Sequence, residues 1–272
     1  MKTLYVSDLD GTLLRSDESM SDDTNTAVNK LIEKGMMFSY ATARSLVTAR
    51  KVAKGLDTRI PLIVYNGCFI VNPVSGEIVR ANSFDESFGN VLGTLLKQQV
   101  YPIVYSYIDG IEKFSFIAEH CSRGMAQFLE SRRGDPRINP VKTAEQLAVG
   151  NPFYITCIDE PEKLAPLYHG LKERYHAVYQ KDIYSGEQWL EILPKGASKA
   201  NAALQLKELL QCDRLVVFGD GMNDIDMFEI ADEAYAVENA VSELKGMATG
   251  IIGGNNGDGV AKWLTEHCCG KA

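Results

Sequence analysis

The chain alternates short apolar runs with longer segments whose apolar residues recur every three or four positions. Thr3-Leu4-Tyr5-Val6 is apolar and partly β-branched and reads as a buried strand. Over 24–34, Ala27, Val28, Leu31 and Ile32 fall on one face of a helix, with capping residues at 19–23 and Gly35 at its end. Positions 36–42 predict a second strand with Thr42 at its C-terminal end, 45–54 a helix, and 62–65 a third strand closed by Asn66-Gly67. This alternation is the pattern of parallel βαβ units. Residues 69–71 and 78–79 flank a turn-rich stretch and predict a hairpin.

The pattern changes near Ser83. A helix is predicted over 85–99, and strand-like runs at 101–108 and 111–116 flank Asp109-Gly110, a favoured tight-turn pair. Helical stretches near 119–132 and 143–148, a strand at 153–158, a helix at 161–174 and a strand at 177–180 follow. Such a mixture predicts an antiparallel sheet with helices on one face. Residues 189–193 lead back to the βα pattern: a helix over 199–211 capped by Ser198, a strand at 215–218, a helix to Ala231, a strand at 234–237, a helix at 241–248, a short strand at 251–252, and a last helix capped by Asp258 and reaching about 266. The predicted fold is α/β: a doubly wound, Rossmann-like parallel sheet at 1–82 and 188–272, with an α+β domain inserted at 83–187.

A length of 272 residues suits such a two-domain plan, and 45% hydrophobic with 24% charged residues is ordinary for a globular enzyme. The net charge of -8 and the lack of a basic run argue against a nucleic-acid surface, so basic groups that meet an anion must be local. No apolar stretch approaches membrane-spanning length, and Asp8 interrupts the N-terminal region before a signal-peptide core could form. A cytoplasmic location is expected. The cysteines, Cys68, Cys121, Cys157, Cys212, Cys268 and Cys269, make no C-x-x-C pair, which fits a reduced compartment. Cys157 reads as a small buried hydrophobe. No role is assigned to any of them.

In an open parallel sheet, ligands bind beyond the carboxyl ends of the strands. Three polar clusters fall at such ends: Asp8 with Asp10, Thr42 with Arg44, and Asp220 with Asn223 and Asp224. A fourth candidate, Lys199, opens a helix, where an ammonium and a helix N-terminus would both favour an anion. In extended chain Asp8 and Asp10 would face one site, and Gly11 permits a sharp turn directly afterwards. Two close carboxylates suit a Mg²⁺ ion, or a pair in which one attacks while the other moves a proton. Taken singly, each cluster also has a plain structural use. The first makes a strand and an Asp-Gly turn, Thr42 bonds local backbone, Lys199 is solvated, and Asn223 or Asp224 caps a helix.

In combination they are more specific. Asp8-Leu9-Asp10-Gly11-Thr12-Leu13, a threonine closing the second strand, a lysine opening a helix and Gly219-Asp220-Gly221-Met222-Asn223-Asp224 occur in that order. The chain thereby resembles the haloacid dehalogenase-like superfamily, and within it the Cof-like phosphatases of subclass IIB. The likeness extends to the large insertion after the second motif, to Tyr65-Asn66-Gly67 and to 255–261. It implies phosphoryl transfer through an aspartyl-phosphate, with Asp8 as nucleophile and Asp10 as general acid and then base. It further implies Mg²⁺ held by the Asp8 carboxylate, the Asp10 backbone carbonyl and Asp220. Thr42, Ala43, Arg44, Lys199 and Asn223 would bind phosphate or substrate, and Asp224 would orient Lys199 or a metal-bound water. Lys195 lies nearby, but the helix start favours Lys199.

The expected activity is hydrolysis of a small phosphate monoester, a sugar phosphate by preference. The inserted domain would close over the site and set substrate choice. Tyr101, Tyr105 and Tyr107 could contact a sugar there or simply pack between strands. A phosphomutase would share the aspartyl-phosphate. A non-catalytic phosphate-binding protein is the alternative of another class, and the presence of Asp8, Asp10, Lys199 and Asp220 together speaks against it. The motifs leave the oligomeric state open.

Overall fold

A computed structural model describes residues 1–182 and 185–268; Cys269 lies outside them. In chain order the strands are β1 (Thr3–Ser7), β2 (Met37–Tyr40), β3 (Leu62–Val64), β4 (Phe69–Val71), β5 (Ile78–Ala81), β6 (Ile103–Ile108), β7 (Ile111–Ile117), β8 (Ile138–Val141), β9 (Asn151–Ile158), β10 (His176–Lys181), β11 (Gln188–Leu193), β12 (Arg214–Gly219), β13 (Glu233–Val237) and β14 (Gly250–Ile252). The α-helices are α1 (Asp22–Glu33), α2 (Leu46–Val52), α3 (Phe88–Lys97), α4 (Arg123–Ser131), α5 (Pro161–Leu171), α6 (Lys199–Leu209), α7 (Ile225–Ile230), α8 (Ser242–Met247) and α9 (Gly259–Cys268). The chain divides into two compact units, Met1–Ala81 with Ser198–Ala272, and Asn82–Ala197.

In the first unit the apolar strands form a parallel sheet in the order β14-β13-β12-β1-β2. Leu4 and Val6 of β1 and Leu215, Val217 and Phe218 of β12 are fully buried, as strands covered on both faces must be. The chain winds one way from β1 to β2 and returns on the other side of β1 as β12, so a topological switch point lies between them. β3 touches this sheet through a parallel bridge, Ala41 to Ile63, but its ladder is antiparallel to β4, which in turn pairs with β5. Ser21 caps α1 and Ser198 caps α6, each hydroxyl accepting a first-turn N–H. Asp258, expected to cap the last helix, instead gives its carboxylate to Arg15, Ser21 and Thr24.

The second unit is a six-stranded sheet, β10-β11-β9-β6-β7-β8, antiparallel except for β7 with β8. Phe88, Val91 and Leu95 of α3 and Leu164 and Leu171 of α5 bury one face against Val104, Ile155, Leu190 and Ile192. The turn at Asp109-Gly110 takes positive φ at both residues, as a tight hairpin requires.

Four local expectations change. Residues 188–193 do not return to the parallel sheet. As β11 they pair antiparallel with β9 and β10, so the second unit runs to Ala197 and not to 187. Ile138–Val141 is a strand that the sequence pattern hides, since Pro140 is tolerated only because β8 lies at the sheet's edge. Glu145–Ala148 is a single 3₁₀ turn. The helices are not confined to one face. Phe128 of α4 packs on Phe114 and Trp189, and Phe114 pairs with Tyr105, which points away from the face of Val104.

Tyr105 is buried among Phe114, Phe153 and Tyr154, and Tyr107 packs against Phe153. Both act in strand packing. Tyr101 stacks on His120 with ring centroids 4.0 Å apart. No helix among the described residues is long and apolar enough to cross a membrane.

Candidate active site

β1 and β12 run in register, Ser7 opposite Phe218, so both strands end at the same level. Asp8 continues β1, its N–H donating to the Phe218 carbonyl at 2.9 Å, and Asp220 follows β12 directly. The backbone then coils through a tight turn over Leu9–Leu13. Gly11 takes φ +79° there, and a Cβ would overlap the Asp220 carboxylate, so only glycine fits. Gly67, at φ +94°, lies against the Ser198 carbonyl in the same way and lets the Asn66-Gly67 turn abut the start of α6.

Lys199, the first residue of α6, is 1% exposed, and its Nζ donates to Asp8 Oδ1 at 2.6 Å and to Asp224 Oδ1 at 2.7 Å. Asp224 is itself fully buried, and its Oδ2 accepts the N–H groups of Asp220 and Gly221, each at 3.0 Å. Asp220 Oδ1 accepts the Thr12 hydroxyl at 2.8 Å. Carboxylate oxygens of Asp8, Asp220 and Asp224 all lie within 4.8 Å of one another. Lys199 pairs with two of these three carboxyl groups, so the cluster is richer in acidic groups than one ammonium can balance.

Burial pushes the Asp8 carboxyl well above the ordinary carboxylate range; Lys199 opposes the shift, while Asp224, Asp220 and Asp10 add to it. Asp220 is pushed up to about 7 by burial and by Asp224, against the Thr12 hydrogen bond. Burial alone would discharge Lys199, but Asp224 and Asp8 outweigh it and keep the ammonium charged. An oxygen-rich pocket of crowded carboxyl groups fits a hard divalent cation, which would relieve the repulsion from Asp224 that adds to burial in raising Asp220.

A stability prediction follows for the metal-free protein. With Asp220 at about 7 folded, against ~3.9 unfolded, the native state binds more protons between those values, so stability falls as pH rises through the window. Asp135, Asp232 and Asp258, which are shifted down, titrate below the window and contribute no slope within it. Calorimetry in chelator should therefore show a lower melting temperature at pH 7.5 than at pH 5.5, a difference that an added divalent cation should narrow. A flat profile in chelator would mean that the carboxylates are not crowded.

The other predicted residues are placed as follows. Thr42 is fully buried just past β2, its N–H on the Ile63 carbonyl at 3.0 Å and its carbonyl on the Asn66 N–H at 2.9 Å. Its Oγ1 accepts the Arg44 N–H at 3.1 Å, leaving its own proton to donate. Asn223 Nδ2 donates to Asn66 Oδ1 at 3.3 Å. Ala43 links Thr42 to Arg44 and is half-buried. The Asp10 carboxylate does not join the acidic trio. Arg44 holds both of its oxygens, Nε to Oδ2 at 2.7 Å and Nη2 to Oδ1 at 2.6 Å. The converging carboxylates are Asp8, Asp220 and Asp224.

Residues not singled out in the sequence brace these. Thr12 holds Asp220, Asn239 Nδ2 donates to the Gly11 carbonyl at 2.7 Å, and Asn255 Nδ2 donates to the Leu14 carbonyl at 3.0 Å.

The sequence profile of the haloacid dehalogenase-like hydrolases matches residues 5–264. The chain belongs to that family. Among its relatives, the Bacillus subtilis protein YwtE, named a 5-amino-6-(5-phospho-D-ribitylamino)uracil phosphatase, is 26% identical over 293 aligned positions, covering 100% of this chain and 99% of its own. The crystal structure of TM0651 from Thermotoga maritima superposes with a TM-score of 0.76 at 27% identity, over 98% of this chain and 97% of that one. The subclass IIB sugar phosphatase BT4131 shares the fold, with a TM-score of 0.77 at 16% identity over 98% of each chain.

Proposed function

We propose that this haloacid dehalogenase-like hydrolase is a Mg²⁺-dependent phosphatase of small phosphate monoesters, with sugar phosphates as its substrate class. The observation that carries the proposal is the buried Asp8–Lys199–Asp224 ion-pair chain beside Asp220 at the switch point. The name of the relative YwtE supports the class, since its substrate carries a phosphate on a sugar-derived chain.

Asp8 attacks the phosphorus, and the bond to the leaving oxygen breaks as Asp10 gives that oxygen a proton. Asp10 then takes a proton from water, which attacks the aspartyl-phosphate and releases inorganic phosphate. Lys199 and the Thr42 hydroxyl hold phosphoryl oxygens, and Asp224 keeps Lys199 aimed. Asp8, the Asp10 carbonyl and Asp220 would hold Mg²⁺, which would supply the remaining positive charge that a dianionic ester needs before a carboxylate can approach it. The second unit sets substrate choice.

Exhaustive chelation should abolish phosphate release, and Mg²⁺ should restore it. Ca²⁺ should restore little, because its larger and looser shell disturbs an in-line arrangement. Full turnover in chelator would contradict the metal requirement. A screen of sugar phosphates, nucleotides and cofactor phosphates with Mg²⁺ present tests the substrate class.

A further inference from the structure

We propose that Arg44 is a positioning residue that aims the Asp10 carboxylate, and that Glu18 in turn sets Arg44. The inference rests on the function proposed above, in which Asp10 passes its proton to the leaving oxygen. A general acid delivers little unless it is held at the right distance and angle, and a side chain about 1 Å out of place costs on the order of 10²-fold in rate. Asp10 follows a strand end and sits in a turn at φ -74°, ψ 118°, outside regular secondary structure. Arg44 supplies the restraint. Its planar fork meets both carboxylate oxygens, at 2.7 and 2.6 Å, and so fixes the plane of the carboxylate as well as its position.

The fork is anchored at its base. The Arg44 N–H donates to Thr42 Oγ1 at 3.1 Å, and its carbonyl accepts the Tyr65 N–H at 3.0 Å, so the backbone is tied to the ends of β2 and β3. It is also anchored at its tip, where Nη2 donates to Glu18 Oε2 at 2.8 Å. Glu18 holds φ +62°, a left-handed conformation that is strained for a residue with a side chain. A turn pins it there, Glu18 N–H on the Arg15 carbonyl at 3.0 Å and Arg15 N–H on the Ser19 carbonyl at 2.9 Å. Glycine or asparagine would take that conformation more readily. What glutamate adds is a carboxylate on Arg44. The chain Glu18–Arg44–Asp10 therefore passes from a strained turn to the proton donor.

The test compares an alkyl phosphate, whose alkoxide needs a proton to leave, with p-nitrophenyl phosphate, whose phenolate does not. Arg44→Ala should lower kcat for the alkyl ester roughly 100-fold, and for p-nitrophenyl phosphate less than about tenfold. Guanidinium ion at non-denaturing concentration should recover part of the alkyl-ester rate. Glu18→Gln should show the same selectivity at a smaller size, about tenfold on the alkyl ester. At 42% side-chain exposure it also keeps the test alive if Arg44→Ala does not fold. Equal losses on the two esters, or no recovery by guanidinium, would overturn the role of Arg44 while leaving Asp8 labelling intact. A wild-type enzyme that takes no phosphoryl group on Asp8 would remove the proposed function itself, and this role with it.

Discussion

Asp8→Asn should abolish turnover, lowering phosphate release by a factor on the order of 10⁴ or more. The amide is nearly isosteric with the carboxylate, so the change removes the proposed nucleophile without altering the shape of the site. Asp8 is 5% exposed and tied by its own N–H to β12, which holds it in place whichever side chain it carries. The fold should tolerate the amide. It loses an ion pair with Lys199 but lowers the excess negative charge that burial and Asp224 make costly for Asp220. Steady-state phosphate release together with a melting curve separates the two effects. A melting temperature within a few degrees of wild type, with no turnover, is the expected pair. An active Asp8→Asn enzyme would contradict the nucleophile assignment.

Lys199→Met should be costly in stability as well as activity. Its ammonium is fully buried between Asp8 and Asp224, whose side chains are 7% and 0% exposed. Removing one partner of a buried pair leaves the others charged and unpaired, which costs about 3–5 kcal/mol. In a chain of this length that is a fall in melting temperature of roughly 10 °C. The repulsion it releases should be relieved by removing a carboxylate, so Lys199→Met with Asp8→Asn should lose much less than the two single changes summed. Activity of Lys199→Met should fall at least ~10²-fold, for want of charge on the transferring group. A fully stable Lys199→Met protein, or strict additivity in the double variant, would contradict the shared charge network.

Much of this site is legible in the amino-acid sequence, because strand ends leave a strong signature. An apolar run followed by Asp8, and another followed by Asp220, place two carboxylates at the carboxyl edge of a parallel sheet, and Ser198 marks where α6 and Lys199 begin. What is not legible depends on which strands are neighbours. The Arg44–Asp10 pair joins residues 34 apart and follows from β1 lying beside β2 with Ser7 opposite Tyr40. Asp224 by itself has the look of a helix cap, and its partnership with Lys199 is legible only through the family resemblance. Thr12, Asn239 and Asn255 act from turns, where no periodicity points a side chain anywhere. β11 shows the same limit in the fold, since an alternating apolar strand does not announce which sheet will take it.

The central claim is that phosphoryl groups pass through the Asp8 carboxylate. Rapid quench of the Mg²⁺-loaded enzyme with labelled substrate, followed by peptide mapping, tests it most directly. Label should appear on Asp8 within a single turnover, decay as phosphate is released, and be absent from Asp8→Asn. Label on any other residue, or turnover with none trapped on the protein at any time, would contradict the account.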